Sequence, residues 1–530
     1  MKESFFRSMT WLHTWVGLSV CWLLFLIFFA GTLSFFRHEI TLWSQPAFHS
    51  IQAVQPDTQA QKQQLVFAIE RLSKQAPDAD NWRISLPNDR KPALELVTQA
   101  ARTEGKGRGK RESHYFDPNT FDELSDYRQT AGGNFFYRLH FDLHYLDRKL
   151  ARWLVGFASL FMLIALISGV VIHKRIFKDM FSFRRGKGSR TWLDGHNLSS
   201  VIALPFHLMI TYTGIITLIF MYFPYPILST FNGDFKAFSQ ELSATKIQYQ
   251  RSHIKDELAP LEQILTQVQH TWPNTALDSV SVSYPFDQAA TITFRASTLK
   301  TIRDEPPTLV FDANTAQLLA ATPVKLSSSE TIFDSMTALH TGRLAEPVLR
   351  WLYFFCGIAG CVMIASGCVM WAKRIRERMK ANIKGSFGLK LVEALNVATI
   401  MGLPLATVVF LYANRLLPNA TLARADQEIL SFFITWLAVC MFACFKRDRA
   451  VWRNLALLIG VMFAGLPLLN SMVLEGNTWR YLNEKNWVLF SADFVCLVIA
   501  FASFMQYQKL SSPPARLVKN SSALKRGVTS

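Results

Sequence analysis

The stretch Trp11–Phe36 reads WLHTWVGLSVCWLLFLIFFAGTLSFF and contains no Asp, Glu, Lys or Arg. An α-helix needs about 20 apolar residues to cross the hydrocarbon core of a bilayer. A cleaved signal peptide has a shorter apolar core and a small-residue cleavage site, which this stretch lacks. The stretch therefore predicts a membrane-spanning helix that stays in the protein.

Seven further apolar stretches of this kind follow along the chain. Half of the 530 residues are apolar, and 42 of them are Phe. Together the stretches predict a mainly α-helical membrane protein embedded in a lipid bilayer. Its eight transmembrane helices are predicted at residues 11–36, 151–173, 197–223, 348–372, 391–415, 427–445, 453–474 and 487–507.

Basic residues in the short loops orient these helices, because cytoplasmic loops carry the excess of Lys and Arg. The loops at 174–192 and after Trp371, the turn at 446–453 and the C-terminal tail are all basic. Both termini are therefore predicted to be cytoplasmic, in a bacterial inner membrane. The net charge of +17 is then an orientation signal, and no nucleic-acid partner is predicted. All seven cysteines lie in predicted spans, so no disulfide framework is expected.

Two long external segments, 37–150 and 224–347, resemble each other. The first contains Phe116-Asp117-Pro118-Asn119-Thr120 and then Leu139-His140, and the second contains Phe311-Asp312-Ala313-Asn314-Thr315 and then Leu339-His340. Asp, Asn and Pro favour turns, and the surrounding sequence mixes alternating stretches (280–294) with helical ones (61–75 and 257–270). Each segment is predicted to be a small periplasmic α+β domain, and the basic, Gly-rich 105–111 a hairpin tip.

The membrane helices repeat as well. His13 precedes Gly31 by 18 residues, and His196 precedes Gly214 by the same number. Ser168-Gly169 in the second helix matches Ser366-Gly367 in the fourth, and such small residues permit close helix approach. The pattern predicts a parallel duplication, followed by an added module without histidine. The predicted segments are 1–36, 37–150, 151–173, 174–196 (cytoplasmic loop), 197–223, 224–347, 348–372, 373–390 (cytoplasmic loop), 391–507 (four-helix module) and 508–530 (tail).

Seven of the twelve histidines lie in or beside the first four helices. Ionisable groups in a membrane mark functional sites by default, and imidazole is a common axial ligand of haem iron. The seven are His13, His173 and His196 at the cytoplasmic side, His140, His144 and His340 at the external side, and His207 deeper in the third helix. Eleven residues separate His207 from His196, which predicts one shared helix face and a spacing of about 16 Å.

The duplication pairs four of these histidines. His13 with His196 and His140 with His340 are predicted to ligate two b-type haems, one near each membrane face, since one cofactor does not reach across about 30 Å of hydrocarbon. A single histidine at a helix end is more often an interfacial or hydrogen-bonding residue, and that interpretation stays open for His144, His173 and His207. The remaining external histidines are interpreted as surface residues. Zn or Cu sites would bring Cys or carboxylates close in sequence, which these clusters lack.

His144 lies one turn from His140 and stays an alternative ligand. His173 occupies the repeat position of Trp371, so the duplication does not support it. Arg415, Arg424, Asp426 and Glu475 are interpreted as external loop residues without a readable role.

Several motifs resemble a known family. LHTWVG at 12–17, the LH pairs at 139 and 339, HTGR at 340–343 and SG near the ends of helices 2 and 4 are similar to the PepSY-associated transmembrane family over residues 1 to about 380. LPFHLMITYTG at 204–214 and IHKRIFKDMFSFR at 172–184 resemble its iron-regulated branch, the inner-membrane ferric-siderophore reductases. The resemblance implies two periplasmic PepSY domains, b-type haem, and reduction of Fe(III) in an imported siderophore to release Fe(II).

Electrons would then enter from quinol or a cytoplasmic donor at His13 and His196, and reach a periplasmic ferric siderophore by way of His140 and His340. The chain has no GxGxxG or Walker motif, so the donor is expected to be another molecule. Two alternatives remain from the sequence: a haem-free siderophore or peptide permease whose histidines relay protons, and a PepSY-bearing sensor or protease regulator.

Overall fold

A computed structural model describes most of the chain. The described residues are 3–51, 57–101, 109–173, 189–234, 237, 250–273, 275–298, 301–322, 328–379, 386–473 and 478–512. Most of the predicted basic loop after the second helix, the end of the basic tail, the tip at 105–108 and Glu475 lie outside these residues.

The helices within the described ranges confirm the predicted mainly α-helical membrane protein. They are α1 Glu3–Ser34, α2 Arg37–Trp43, α3 Thr58–Gln75, α4 Gly132–Asp142, α5 Arg148–Ile172, α6 Ser189–Ile202, α7 Leu204–Thr217, α8 Ile219–Tyr222, α9 Tyr225–Phe231, α10 Leu261–Thr271, α11 Ser328–Thr341, α12 Pro347–Arg378, α13 Phe387–Asn396, α14 Gly402–Leu416, α15 Arg424–Phe445, α16 Arg449–Val473, α17 Thr478–Asn483 and α18 Trp487–Ser511. The strands are β1 Asn81–Ser85, β2 Leu94–Gln99, β3 Arg111–Phe116, β4 Leu277–Ser283, β5 Thr291–Ala296, β6 Thr308–Asp312 and β7 Leu318–Ala321.

The chain divides into two compact units. A membrane unit contains Met1–Ser44, Gln129–Ile215 and Pro347–Ser530, and a sheet unit contains Gln45–Arg128 and Ile216–Glu346. Within the described residues, seven helices are long and apolar enough to cross a membrane, and the bent pair α6 and α7 makes an eighth crossing if it counts as one span. This agrees with the eight predicted spans.

The third predicted span is not one straight helix. It is broken after Ile202, and α6 and α7 meet at an angle of 69°. Pro205 lies in the first turn of α7, where its missing N–H costs no helical hydrogen bond, whereas the same residue inside a continuous helix would remove one. The helix also begins at Ser189, so His196 lies within it and not in a loop. The predicted shared face and 16 Å spacing of His196 and His207 assumed one straight helix, and the structure breaks that helix between them.

The packing of the membrane unit repeats. In the first half, α1 packs on α5, and in the second half α6 packs on α12. Helix α1 also contacts α4 and α12, which places it between the two halves. Each half thus brings its first helix against its own second helix, as the duplication predicts.

The sheet unit is built on one antiparallel sheet. Its strand order is β3-β2-β1-β4-β5-β6-β7, and the central pair joins the two external segments, with Trp82 opposite Val282. The two segments were predicted as separate α+β domains, whereas their strands form a single seven-stranded sheet. Residues of α3 and α10 cover the sheet around a core that includes Leu65, Trp82, Ile264, Phe294 and Phe311.

The repeated FD-x-NT motif forms the predicted turn twice. The carboxylate of Asp117 accepts hydrogen bonds from the backbone N–H groups of Asn119 (2.8 Å) and Thr120 (3.4 Å). That of Asp312 accepts them from Asn314 (2.9 Å) and Thr315 (2.8 Å). The duplication is therefore visible in the sheet unit as well.

The last four predicted spans correspond to α13 with α14, α15, α16 and α18. A π-helical segment, Val397–Met401, joins α13 to α14. Arg415 and Arg424, interpreted from the sequence as loop residues, are instead 3% and 0% exposed within this module. That interpretation is wrong, because both guanidinium groups are buried among polar partners.

Candidate functional site

Two of the predicted ligands face each other in the membrane unit. His13 on α1 and His196 on α6 have ring centres 6.2 Å apart, with planes at 73°. A metal ion bound about 2 Å from one nitrogen of each ring would hold two imidazole centres about 6 Å apart, since the nitrogen lies about 1 Å from the ring centre. The observed spacing fits one ion shared by the two rings.

The second nitrogen of each ring is already bound to the backbone. Nδ1 of His13 lies 2.9 Å from the carbonyl oxygen of Ala165, and Nδ1 of His196 lies 2.7 Å from that of Met363. Because a carbonyl can only accept, Nδ1 carries the proton in both rings and Nε2 is left with its lone pair. A second hydrogen bond of this kind orients metal-binding histidines and fixes their tautomer.

A glycine makes room for each of these rings. A Cβ at Gly169 would lie 3.1 Å from the His13 ring, and a Cβ at Gly367 would lie 3.2 Å from the His196 ring. Each glycine follows the accepting carbonyl by four residues. In an α-helix the carbonyl of residue i points toward residue i+4, so a missing Cβ there opens the approach to that oxygen. We call this pair of a carbonyl and a glycine four residues later a carbonyl–glycine dock.

The same dock holds two further histidines. Nδ1 of His140 donates to the carbonyl of Ile27 at 2.7 Å, and a Cβ at Gly31 would lie 2.7 Å from its ring. His207 lies on the carbonyl of Cys356 at a longer 3.3 Å, beside Gly360. The sequence had assigned Gly169 and Gly367 to close helix approach, whereas they accommodate imidazole rings.

His207 differs from the other three in its orientation. It turns Nε2, not Nδ1, toward its carbonyl, and its buried Nδ1 has no hydrogen-bond partner. The side chain is fully buried between Phe28 and Phe206. Its neutral ring therefore has one lone pair enclosed by apolar surroundings.

A cavity opens between the His13 and His196 helices. Its volume is about 240 Å³, and it is partly open to the outside. Its wall is mostly apolar, with polar groups from Thr10, Asn197 and Arg374. Gly17 also lines the cavity, and nothing lies within 4 Å of the position that its Cβ would occupy. An apolar cavity with a few placed polar groups is typical of a cofactor site.

The other candidate histidines are arranged differently. His173 ends α5 and lies on the wall of the same cavity, as does its repeat counterpart Trp371. His144 stacks on Phe433 with ring centres 5.5 Å apart and planes at 20°. His340 lies on α11 in the sheet unit, whereas His140 belongs to the membrane unit, so their pairing stays a prediction.

Within the described ranges, no three His, Cys, Asp or Glu side chains are grouped so that they could hold a metal ion by themselves. A pair of imidazoles suits a metal whose other ligands come from a cofactor, as in haem. The cavity lies directly beside His13 and His196.

Comparison with known proteins assigns this chain to a family. The profile of the PepSY-associated TM region matches residues 10–374, which include all four docks and both halves of the duplication. The chain belongs to the PepSY-associated transmembrane family. An uncharacterized protein of Pseudomonas aeruginosa is 23% identical over 348 residues, which cover 62% of this chain and 83% of that protein. The family match ends near the C-terminus of α12, so the last module lies beyond it.

Proposed function

We propose that this member of the PepSY-associated transmembrane family is a haem-containing oxidoreductase of the bacterial inner membrane. It would pass electrons across the membrane and reduce a ferric siderophore in the periplasm. The spacing of 6.2 Å between two imidazoles whose Nδ1 atoms are both bound to carbonyls is the observation that carries the proposal.

The residues around His13 and His196 fit a b-type haem. Their Nε2 atoms have the lone pairs with which they would bind the haem iron, and the docks prevent either ring from turning. Apolar side chains such as Leu24 and Met162 line the cavity, and Arg374 supplies a positive charge for the acidic groups of a cofactor. Bound haem supplies one-electron transfer, and the chain supplies orientation and an apolar environment.

The second predicted site rests on His140 and His340. His140 has the same tautomer as His13, since its Nδ1 donates to Ile27. His340 is the counterpart of His140 in the repeat. His144 remains the alternative to His140 as the ligand. Two sites at different depths would let an electron cross the membrane in steps.

The proposed substrate is a ferric siderophore, and the proposed donor is quinol or a cytoplasmic reductant. One electron from the donor converts Fe(III) to Fe(II). Siderophores hold the harder Fe(III) ion with oxygen ligands, so reduction weakens the complex and releases iron. The similarity of residues 172–184 and 204–214 to the iron-regulated branch supports this substrate class.

The absorption spectrum of the purified protein tests the proposal. We expect Soret and α bands of b-type haem, a loss of part of this absorbance in His13→Ala and His196→Ala, and no loss in the control His270→Ala, whose side chain is exposed on α10. A wild-type protein without haem bands contradicts the proposal.

The break between α6 and α7 favours one other function, a permease. Discontinuous helices surround the substrate sites of many transporters, and His207 lies just after the break with an unpartnered nitrogen. This function predicts substrate uptake by haem-free protein in liposomes, and the same absorption spectrum distinguishes it from electron transfer.

A further inference from the structure

The last module contains charged side chains that are buried in the membrane unit. Arg424 and Glu428 are both 0% exposed and form an ion pair of 2.6 Å. Buried charges of this kind are costly unless every donor and acceptor is satisfied. The hydrogen-bond partners of Arg424 and Glu428 therefore identify the segment of the chain that this module fixes.

Glu428 binds the start of α4, the helix that carries His140. One carboxylate oxygen accepts hydrogen bonds from the hydroxyl of Thr130 (2.7 Å) and the N–H of Ala131 (3.0 Å). The other accepts from Arg424 (2.6 Å) and the side-chain amide of Asn414 (2.8 Å). Both oxygens are saturated, and half of their bonds go to α4.

These bonds complete the N-terminal cap of α4. The first N–H groups of a helix have no partner within it. Here the N–H of Ala131 donates to Glu428, that of Gly132 to the Thr130 hydroxyl (3.0 Å), and that of Gly133 to the hydroxyl of Thr41 (3.0 Å). In a capping box a glutamate of the same helix accepts the N-cap N–H. Glu428 plays that part from α15, far along the chain.

The backbone that leads into this cap is fixed by hydrogen bonds as well. Arg424 donates to the carbonyl of Gln129 at 2.9 Å and also binds the carbonyl of Asn414. The backbone at Gly132 has a φ of +49°, and a Cβ on Gly133 would lie 2.1 Å from the carbonyl oxygen of Arg37. The chain therefore enters α4 along one narrow path.

The position of the α4 cap determines the position of His140, because both belong to the same helix. The helix has 11 residues and ends just after His140. In its middle, Phe135 stacks on Phe410 at 5.1 Å and packs edge-on against Phe432 at 5.0 Å. A shift of the cap would move His140 relative to the carbonyl of Ile27, because a short, packed helix moves as one body.

We propose that the last module positions His140, with Glu428 as the positioning residue that caps α4. The proposal rests on the ligand role of His140 under the proposed function. The module would then set the orientation of one ligand of the external-side haem, and with it the strength of the Nδ1 hydrogen bond that tunes the ligand.

The experiment uses the full chain in detergent, with two variants of the cap and one control. Thr130→Val removes the hydroxyl that binds Glu428 and Gly132, and Glu428→Gln removes the charge that pairs with Arg424. The control is Tyr412→Phe, which loses a hydrogen bond from the Tyr412 hydroxyl to the carbonyl of Met462 (3.0 Å) inside the same module. In the described part of the chain, the hydrogen bonds and ring contacts that hold α4 do not involve Tyr412.

Two kinds of measurement are made on each protein. The first is the reduction potential of each haem, where the external-side haem is the one that is lost in His140→Ala. The second is hydrogen exchange of the peptide that covers residues 131–142, together with carbethoxylation of His140 by diethyl pyrocarbonate. The second measurement does not require haem.

We expect both cap variants to shift the potential of the external-side haem upward and to leave the other haem unchanged. A weaker Nδ1 hydrogen bond makes the imidazole a weaker donor to Fe(III). Exchange at the start of α4 should rise by about fivefold, the factor that a lost helix cap produces. Tyr412→Phe should change none of these quantities.

Three outcomes would overturn the proposal: unchanged potentials despite faster exchange in α4, equal effects of Tyr412→Phe and Thr130→Val, or a shift of both haems together. If Glu428→Gln does not fold, Thr130→Val decides alone. If the wild-type protein binds no haem, the proposed function fails separately. Exchange and carbethoxylation then still test whether Glu428 holds His140 in place.

Discussion

The two halves of the duplicated unit agree at the docks of His13 and His196 and differ in their interiors. His13 on Ala165 and Gly169 repeats as His196 on Met363 and Gly367, with the same atoms and nearly the same distances. Deeper in the membrane the halves diverge. His207 and Gly360 of the second half occupy the repeat positions of Leu24 and Met162, which are buried apolar residues.

The helices that carry these residues diverge in the same way. Helix α1 runs unbroken through 32 residues, whereas its counterpart is split into α6 and α7 at 69°. What is repeated belongs to the function of the duplicated unit as a whole. What is not repeated serves only the second half, so the proposed haem site depends on the docks of His13 and His196.

The largest effect is expected from removing a docked ligand. His13→Ala and His196→Ala should each lower the haem-to-protein ratio by about half, because bis-histidine ligation needs both rings. The measurement is the pyridine haemochrome of purified protein. Unequal losses from the two variants would show that the halves are not equivalent at this site.

The next effect depends on how closely each histidine ring packs against its glycine. A Cβ would lie 2.7 Å from the His140 ring at Gly31, but 3.1 Å from the His13 ring at Gly169. Gly31→Ala should therefore destabilise the protein more than Gly169→Ala, by about 1–3 kcal/mol for an overpacked site. Thermal unfolding measures both variants.

Gly388→Ala on α13 is the matched control for these glycine variants, since its Cβ would meet nothing within 4 Å and it lies outside the cavity. It should unfold at the wild-type temperature. If it behaves like Gly31→Ala, a general loss of helix flexibility explains the results and the docks do not.

A smaller effect is expected at the repeated turns of the sheet unit. Asp312→Ala loses two backbone hydrogen bonds of 2.9 and 2.8 Å, and Asp117→Ala loses one of 2.8 Å and one of 3.4 Å. Both should lower the free energy of unfolding by about 1–2 kcal/mol, with the larger loss in Asp312→Ala. Urea titration followed by Trp fluorescence gives the two values, and the reverse order would contradict the expectation.

The smallest effect is expected where the halves differ. The variant His207→Leu gives the second half the residue that the first half has at this position, Leu24. Gly360 is kept, because a Cβ there would lie 2.5 Å from the Phe28 ring. Haem content should stay at the wild-type value, because His207 lies outside the predicted ligand pairs and Leu24 is already buried at the equivalent position of the first half. A loss of haem in this variant would make His207 a ligand.

Local patterns in the sequence predicted much of this architecture. The number of spans, the helices at Thr58–Gln75 and Leu261–Thr271 and the turns at Asp117 and Asp312 all depend on residues close together along the chain. The spacing of Ser168-Gly169 and Ser366-Gly367 also identified the correct glycines. Only their role was misassigned, since sequence spacing does not show whether a backbone or a side chain fills the space above a glycine.

Contacts between distant residues could not be predicted in this way. Arg424 is an ordinary loop charge in sequence, and only the approach of Gln129 and Glu428 makes it a buried partner. The break at Ala203 depends on whether the surrounding helices accommodate a bent segment, which Pro205 alone does not determine. The joining of β1 to β4 likewise has no local signal.

That strand pair imposes an order on the biogenesis of the protein. Asn81 and Ser283, which face each other across it, are 202 residues apart, and the chain between them includes α5 and the bent pair α6 and α7. When β1 to β3 leave the ribosome, β1 has no neighbour on one side and stays an open edge. It can be completed only after the intervening helices and β4 have been synthesised. During that interval the open edge of β1 can pair with another chain.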